Sequence, residues 1–279
     1  MSIMTASLGP TELLTVSGAD AANFAHAQFT SDVRSLAVGA WQWSAWLDAQ
    51  GRVRHFFALL HWAPAHLIAW LPLGGAEPMR EALARYVMRS AVKLEASPDW
   101  ALHRLEHAAL AEAITSTQAV AHADGYAFAL PGSARRLAWL APGHSVPVDV
   151  GARDRWRLDD IAAGLPLLAP ELGGEFVPQA LDLERLDAIR FDKGCYPGQE
   201  IAARLHFRGG NKRHLQRLRV NGAAPAIGEN LLDDDGQSAG QVLYAAPAST
   251  TTSEALAVLT RTEARNLTTA HSAHVEIVL

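Results

Sequence analysis

The chain has 279 residues, 49% of them hydrophobic and 19% charged, which suits a soluble globular protein long enough for two or three packed units. Its 24 basic and 29 acidic residues leave a net charge of -5, which argues against whole-molecule attraction to nucleic acid. A single cysteine excludes an intramolecular disulfide and an all-cysteine metal cage. It suits a reducing compartment, and a cytoplasmic location is expected.

Met1 to Pro10 lacks a basic region followed by a long apolar run, so no signal peptide is expected. Asp20 is placed to cap a helix running to about Gln28. Trp41, Trp43, Ala45 and Leu47 alternate as one apolar face of a strand, and Asp48-Ala49-Gln50-Gly51 is a hairpin turn. The return strand carries Val53, His55, Phe57 and Leu59, and Ala65 to Leu71 is a third strand. The apolar run from Phe56 to Leu73 is broken by His61, Pro64, His66 and Pro72, so it predicts buried strands and no membrane span. Pro78 opens an amphipathic helix whose inner stripe is Met79, Leu83, Tyr86, Val87 and Ser90. Strands are expected at Val92 to Glu95, Trp100 to Leu105, Tyr126 to Leu130 and Arg136 to Leu140, with a helix at Ala108 to Gln118. Arg153 to Ala163 is a helix stopped at Gly164. After Arg213 the pattern turns all-β, with strands at His214 to Val220, Ser238 to Tyr244, Ala255 to Arg261 and Ala273 to Leu279. The elements interleave without a βαβ rhythm, which predicts an α+β fold: residues 1–212 as two interleaved lobes and 213–279 as a terminal β-barrel.

No Rossmann fingerprint, phosphate loop or GxSxG elbow occurs. His103 and His107 have helical i, i+4 spacing but lack a third ligand, so no metal site is assigned. The lone thiol lies in Lys193-Gly194-Cys195-Tyr196-Pro197-Gly198-Gln199-Glu200. Flanking glycines and a following Pro-Gly place it on a turn before a helix from Gln199 to Leu205. Two readings stand: a small buried hydrophobe, or a reactive thiol favoured by Lys193, Arg190 or Arg204 and by the helix start. From Arg204 to Arg219 the chain holds Arg204, Arg208, Lys212, Arg213, Arg217 and Arg219 with no acid. That stretch is either a solvated face or a site for a carboxylate tail, a phosphate or RNA. Trp156 is either a core aromatic or a flat wall for a ring-shaped ligand.

"KGCYPGQE" followed by "ARLHFRGGNKR" resembles the signature of the YgfZ-like folate-binding proteins, relatives of the glycine-cleavage aminomethyltransferase. "GADAANFAHAQFTSDV" from Gly18, "LDAQGRV" from Leu47, "WRLDDIAAGLP" from Trp156 and "GEFVPQALDL" from Gly174 follow the family order. The resemblance implies a three-lobed α+β fold around a channel that binds tetrahydrofolate. It also implies a role in iron–sulfur protein maturation or repair, with iron–sulfur clients as partners and an indirect role in tRNA modification. Direct tRNA contact would run through Arg204 to Arg219. On the same resemblance, Cys195 and Lys193 carry the functional chemistry, and Trp156, Asp159, Asp160, Gln199, Glu200, Arg204 and Arg208 contact the cofactor. Two departures stand out. The carboxylate pair of the aminomethyltransferases is absent from Gly51-Arg52-Val53-Arg54-His55-Phe56, where His55 is the only replacement for an acid–base group. The family's frequent glutamate is Ala162 here. One-carbon transfer by a folate-dependent transferase or demethylase is the competing expectation.

Overall fold

The computed structural model describes residues 5–105, 119–122, 125–130, 135–143, 147–260 and 267–278. The expected helix at Ala108 to Gln118, and His107, lie outside them. Eight antiparallel strands form one sheet: β1 (Thr5–Ser17), β2 (Trp41–Leu47), β3 (Val53–Ala63), β4 (His66–Leu71), β5 (Lys93–Leu105), β6 (Ala119–His122), β7 (Gly125–Ala129) and β8 (Arg136–Leu140). Their order is β2-β3-β4-β1-β5-β8-β7-β6. Among the described residues four helices accompany the sheet: α1 (Ala21–Gln28), α2 (Ala76–Val87), α3 (Val150–Ala162) and α4 (Gln199–Arg208). The remaining strands, β9 (His214–Val220), β10 (Asn230–Leu232), β11 (Ser238–Pro247), β12 (Ser253–Leu259), β13 (Leu267–Thr268) and β14 (His274–Val278), close a barrel in the order β10-β11-β12-β9-β14-β13.

Why the sheet sits at the centre follows from β2 and β3. Trp41, Trp43, Ala45 and Leu47 share one face, as their alternation predicts, and pack with Phe56, Ala58 and Leu60. The opposite face is buried too: Trp46, Phe57 and Leu59 pack with Phe24, Phe29 and Met79 under α1 and α2. A strand covered on both sides reads as a continuous apolar run, which is what Phe56 to Leu60 is. A third apolar core fills the barrel. The barrel's outer surface packs on α3, and the Tyr244 hydroxyl donates to the Leu165 carbonyl at 2.6 Å.

Several local expectations change. β1 is the central strand between β4 and β5, yet Gly9-Pro10 hides it in the sequence. The register shifts there and again between Thr11 and Leu13, and irregularities of this kind accommodate proline in a sheet. Pro98 and Asp99 fall at the second shift, so the two strands expected at 92–95 and 100–105 are one strand, β5. Asp20 stands at the N-cap position of α1, as expected, but its carboxylate does not bond the helix and instead accepts from the Ala91 N–H at 2.7 Å. α2 begins two residues before Pro78, its first N–H groups capped by Glu12 from β1, and Tyr86 is exposed. α3 starts at Val150 behind Asp149, whose carboxylate accepts from the Ala152 N–H at 2.9 Å. His103 lies on strand β5 rather than on a helix. No helix among the described residues is long and apolar enough to cross a membrane.

Candidate functional site

Three of the sequence landmarks converge on the turn that holds Cys195. Positive φ at Gly51 and Gly198, 73° for each, lets two turns meet backbone to backbone. A Cβ on Gly198 would lie 2.3 Å from the Asp48 carbonyl oxygen and 2.7 Å from the Gly51 Cα. The hairpin turn is itself tied by Asp48 Oδ1, which accepts from the N–H groups of Gln50 and Arg52. The stretch from Gly174 is stitched to the returning strand: Val53 N–H donates to the Phe176 carbonyl, and Gly174 N–H to that of Val53. Gln179 then reaches α4, donating to the Ala202 carbonyl at 3.1 Å.

The landmark around α1 supplies the other anchor. Lys193 Nζ donates to the carbonyls of His26 (2.6 Å), Phe29 (2.5 Å) and Ser31 (2.9 Å). Burial pulls the Lys193 pKa down to about 8. His26, buried beside it and 3.2 Å from Asp32, is lowered by burial first and then by the Lys193 charge. Thr30 joins the same junction through its hydroxyl, which donates to the Ala188 carbonyl at 2.6 Å.

Cys195 is exposed, so the buried-hydrophobe reading does not describe it. It lines an open cleft of about 540 Å³ with Ala49, Gln199, Glu200 and Ile201. Two of the cations expected to act on the thiol have other partners. Lys193 holds three carbonyls, and Arg190 forms a bidentate pair with Asp192 at 2.9 and 2.7 Å. Arg204 and Arg208 are exposed on α4. Of the rest of the basic stretch, Arg217 pairs with Glu254 at 2.8 Å, and Arg213 donates to the Glu175 carbonyl.

The Trp156 group is separate from the thiol. Trp156 is buried at 4% exposure, with the Arg135 guanidinium 4.7 Å from its ring centroid. Asp160 is buried as well and pairs with Arg135 at 2.6 Å. Burial pushes its pKa up to about 6 against the pull of Arg135. Trp156 and Asp160 therefore fix Arg135 rather than form a ligand wall, while Asp159 is exposed. Beside them lies a cleft of about 290 Å³ lined by Trp43, Leu130, Arg135, Ala163, Leu165, Arg185, Leu186 and Asp187. Sequence reading missed Trp43, Arg135, Arg185 and Asp187, which come from three separate segments and carry no local motif. The cleft and the Cys195 cleft share no lining residue. His55 lines neither; it is buried, its ring stacked on Trp46 with centroids 6.0 Å apart. Burial, then Arg54, lowers its pKa to about 4, so it is neutral at neutral pH. Among the described residues no group of three metal-ligating side chains occurs.

This architecture is that of the aminomethyltransferases. The glycine cleavage system aminomethyltransferase T from Bartonella henselae superimposes with a TM-score of 0.73, covering 98% of this chain and 84% of that one at 17% identity. No family model matches the chain. Among curated proteins, the tRNA-modifying protein YgfZ of Sodalis glossinidius is 31% identical over 257 residues, 84% of this chain and 77% of the relative. The protein of the same name in Yersinia pestis strain Pestoides F is 29% identical over 265 residues, covering 86% of this chain and 79% of its own. An uncharacterized protein of Haemophilus influenzae is 32% identical over 216 residues, 77% of this chain and 72% of its own. The chain belongs to the YgfZ family.

Proposed function

We propose that this protein binds tetrahydrofolate, serves as an accessory factor in iron–sulfur cluster assembly or repair, and thereby supports tRNA modification. The cleft beside Ala163 carries the reading. Its volume of about 290 Å³ lies at the small end of ligand clefts, roughly 300–1,000 Å³, and suits a bicyclic ring better than a whole folate. Trp43 and Leu165 offer apolar faces, Asp187 an acceptor for ring N–H groups, and Arg185 a cation for carboxylates. Bound folate would supply a one-carbon carrier or a redox-active ring there. The loss of the carboxylates after Gly51 and the burial of His55 weigh against aminomethyl transfer, because the hairpin that carries the acid–base pair in aminomethyltransferases offers none to a ligand here.

Cys195 is the reactive group in this reading, accessible on a turn anchored by Lys193 and Gly198. Cells lacking the protein provide the test, read as iron–sulfur enzyme activity and modified tRNA. Wild type restores both, and Cys195→Ala at normal abundance restores neither. Full rescue by Cys195→Ala would remove the thiol from the account.

A further inference from the structure

A third cleft, of about 400 Å³, is lined by Glu184, Asp187, Ile189, Arg190, Phe191, Asp192, His206 and Phe207. Its floor is aromatic. The Phe191 and His206 rings stack with centroids 4.4 Å apart and 23° between planes. Phe207 meets His206 edge-on at 4.6 Å and is 75% exposed. The rest of the Phe207 ring is open to solvent, an apolar face that the fold leaves uncovered.

The charges around it are sorted. Arg190 and Asp192 neutralise each other, and Glu184 is held by His206 at 2.8 Å and by Gln179 at 3.1 Å. Asp187 is the carboxylate of the cleft whose side chain makes no hydrogen bond among the described residues. Arg204 and Phe207 are three apart on α4, and Arg204 and Arg208 four apart, so they share one exposed strip. Neither arginine has an ion-pair partner among the described residues. Exposed Lys212 follows Gly209 and Gly210.

We propose that this face binds a single-stranded RNA segment with one unstacked base laid on Phe207. A base has a flat face for the ring and N–H groups for Asp187, while its phosphates are anions for Arg204 and Arg208. A carboxylate within the cleft and cations beside it separate the two halves of a nucleotide. Duplex RNA does not satisfy the arrangement, because its bases are already stacked. The site shares Asp187 with the folate cleft and is otherwise lined by different residues, and folate-free protein leaves that carboxylate to the RNA.

Fluorescence anisotropy with labelled single-stranded RNA and a duplex of equal length, on folate-free full-length protein across a salt series, tests the proposal. The single strand binds at least about tenfold more tightly than the duplex. Phe207→Ala weakens it about tenfold with the salt dependence unchanged. Arg204→Ala with Arg208→Ala lowers the slope of log affinity against log salt by about 1.4. Circular dichroism confirms that these exposed substitutions leave the fold intact. Absence of RNA binding at low salt overturns the proposal, and so does equal affinity for duplex with no effect of Phe207→Ala. Phe207-dependent binding of a basic aromatic peptide, without RNA binding, overturns it in favour of a protein-docking face.

Discussion

His55→Phe tests the reading of the sheet's second core. The imidazole is buried and stacked on Trp46, and its pKa is about 4 rather than 6.5. Below pH 6.5 the unfolded chain takes up a proton that the native state refuses until about pH 4, so this group's contribution is lost as pH falls through that window. The shift of 2.5 units (6.5 minus 4), integrated from neutral pH down to about 4, corresponds to roughly 3 kcal/mol. Asp160 acts in the opposite sense: its pKa is about 6 folded against 3.8 unfolded, so its contribution falls as pH rises between those values. Because Asp160 is present in both proteins, the difference between wild type and His55→Phe isolates the histidine. Phenylalanine keeps a ring against Trp46 and removes the titration. Urea unfolding followed by circular dichroism, at about pH 7.5 and at pH 4, gives the difference. The variant gains roughly 3 kcal/mol relative to wild type between the two conditions. Parallel pH dependences for the two proteins would show that His55 is not held neutral by burial.

Gly198→Ala destabilises by at least about 3 kcal/mol in the same unfolding assay, because the added carbon meets backbone at Asp48 and Gly51 and the residue is held at positive φ. Lys193→Met keeps the buried stem but removes the donors to three carbonyls, and costs about 2 to 4 kcal/mol. Cys195→Ala changes stability by less than about 0.5 kcal/mol, and the native thiol is alkylated without denaturant. A thiol that reacts only after unfolding would contradict its placement on the surface.

The patterns that announce themselves locally were legible. Alternation in β2, the helical stripe through Met79 and Leu83, and the strand rhythm after Arg213 each follow from one periodicity. β1 was not, because its pairing lies with distant strands and its bulges admit the Gly9-Pro10 pair that reads as a break. The thiol's turn was legible from Gly-Cys-Tyr-Pro-Gly, but the function of Lys193 was not. An ammonium that closes three carbonyls of another segment looks, in sequence, like a cation beside a thiol. Trp156 shows the same limit. Its motif builds the back of a cleft, whereas the lining comes from Trp43, Arg135, Arg185 and Asp187, brought together by folding alone.

Isothermal calorimetry of tetrahydrofolate against wild type and Ala163→Trp tests the central claim most directly. Ala163 is exposed and lines the cleft together with Leu165 and Arg135, so a large side chain there fills the space without removing a buried group. The account predicts saturable one-to-one binding to wild type, and loss of that binding in a variant that melts normally. No binding to wild type at millimolar folate, or equal binding to both proteins, would contradict it.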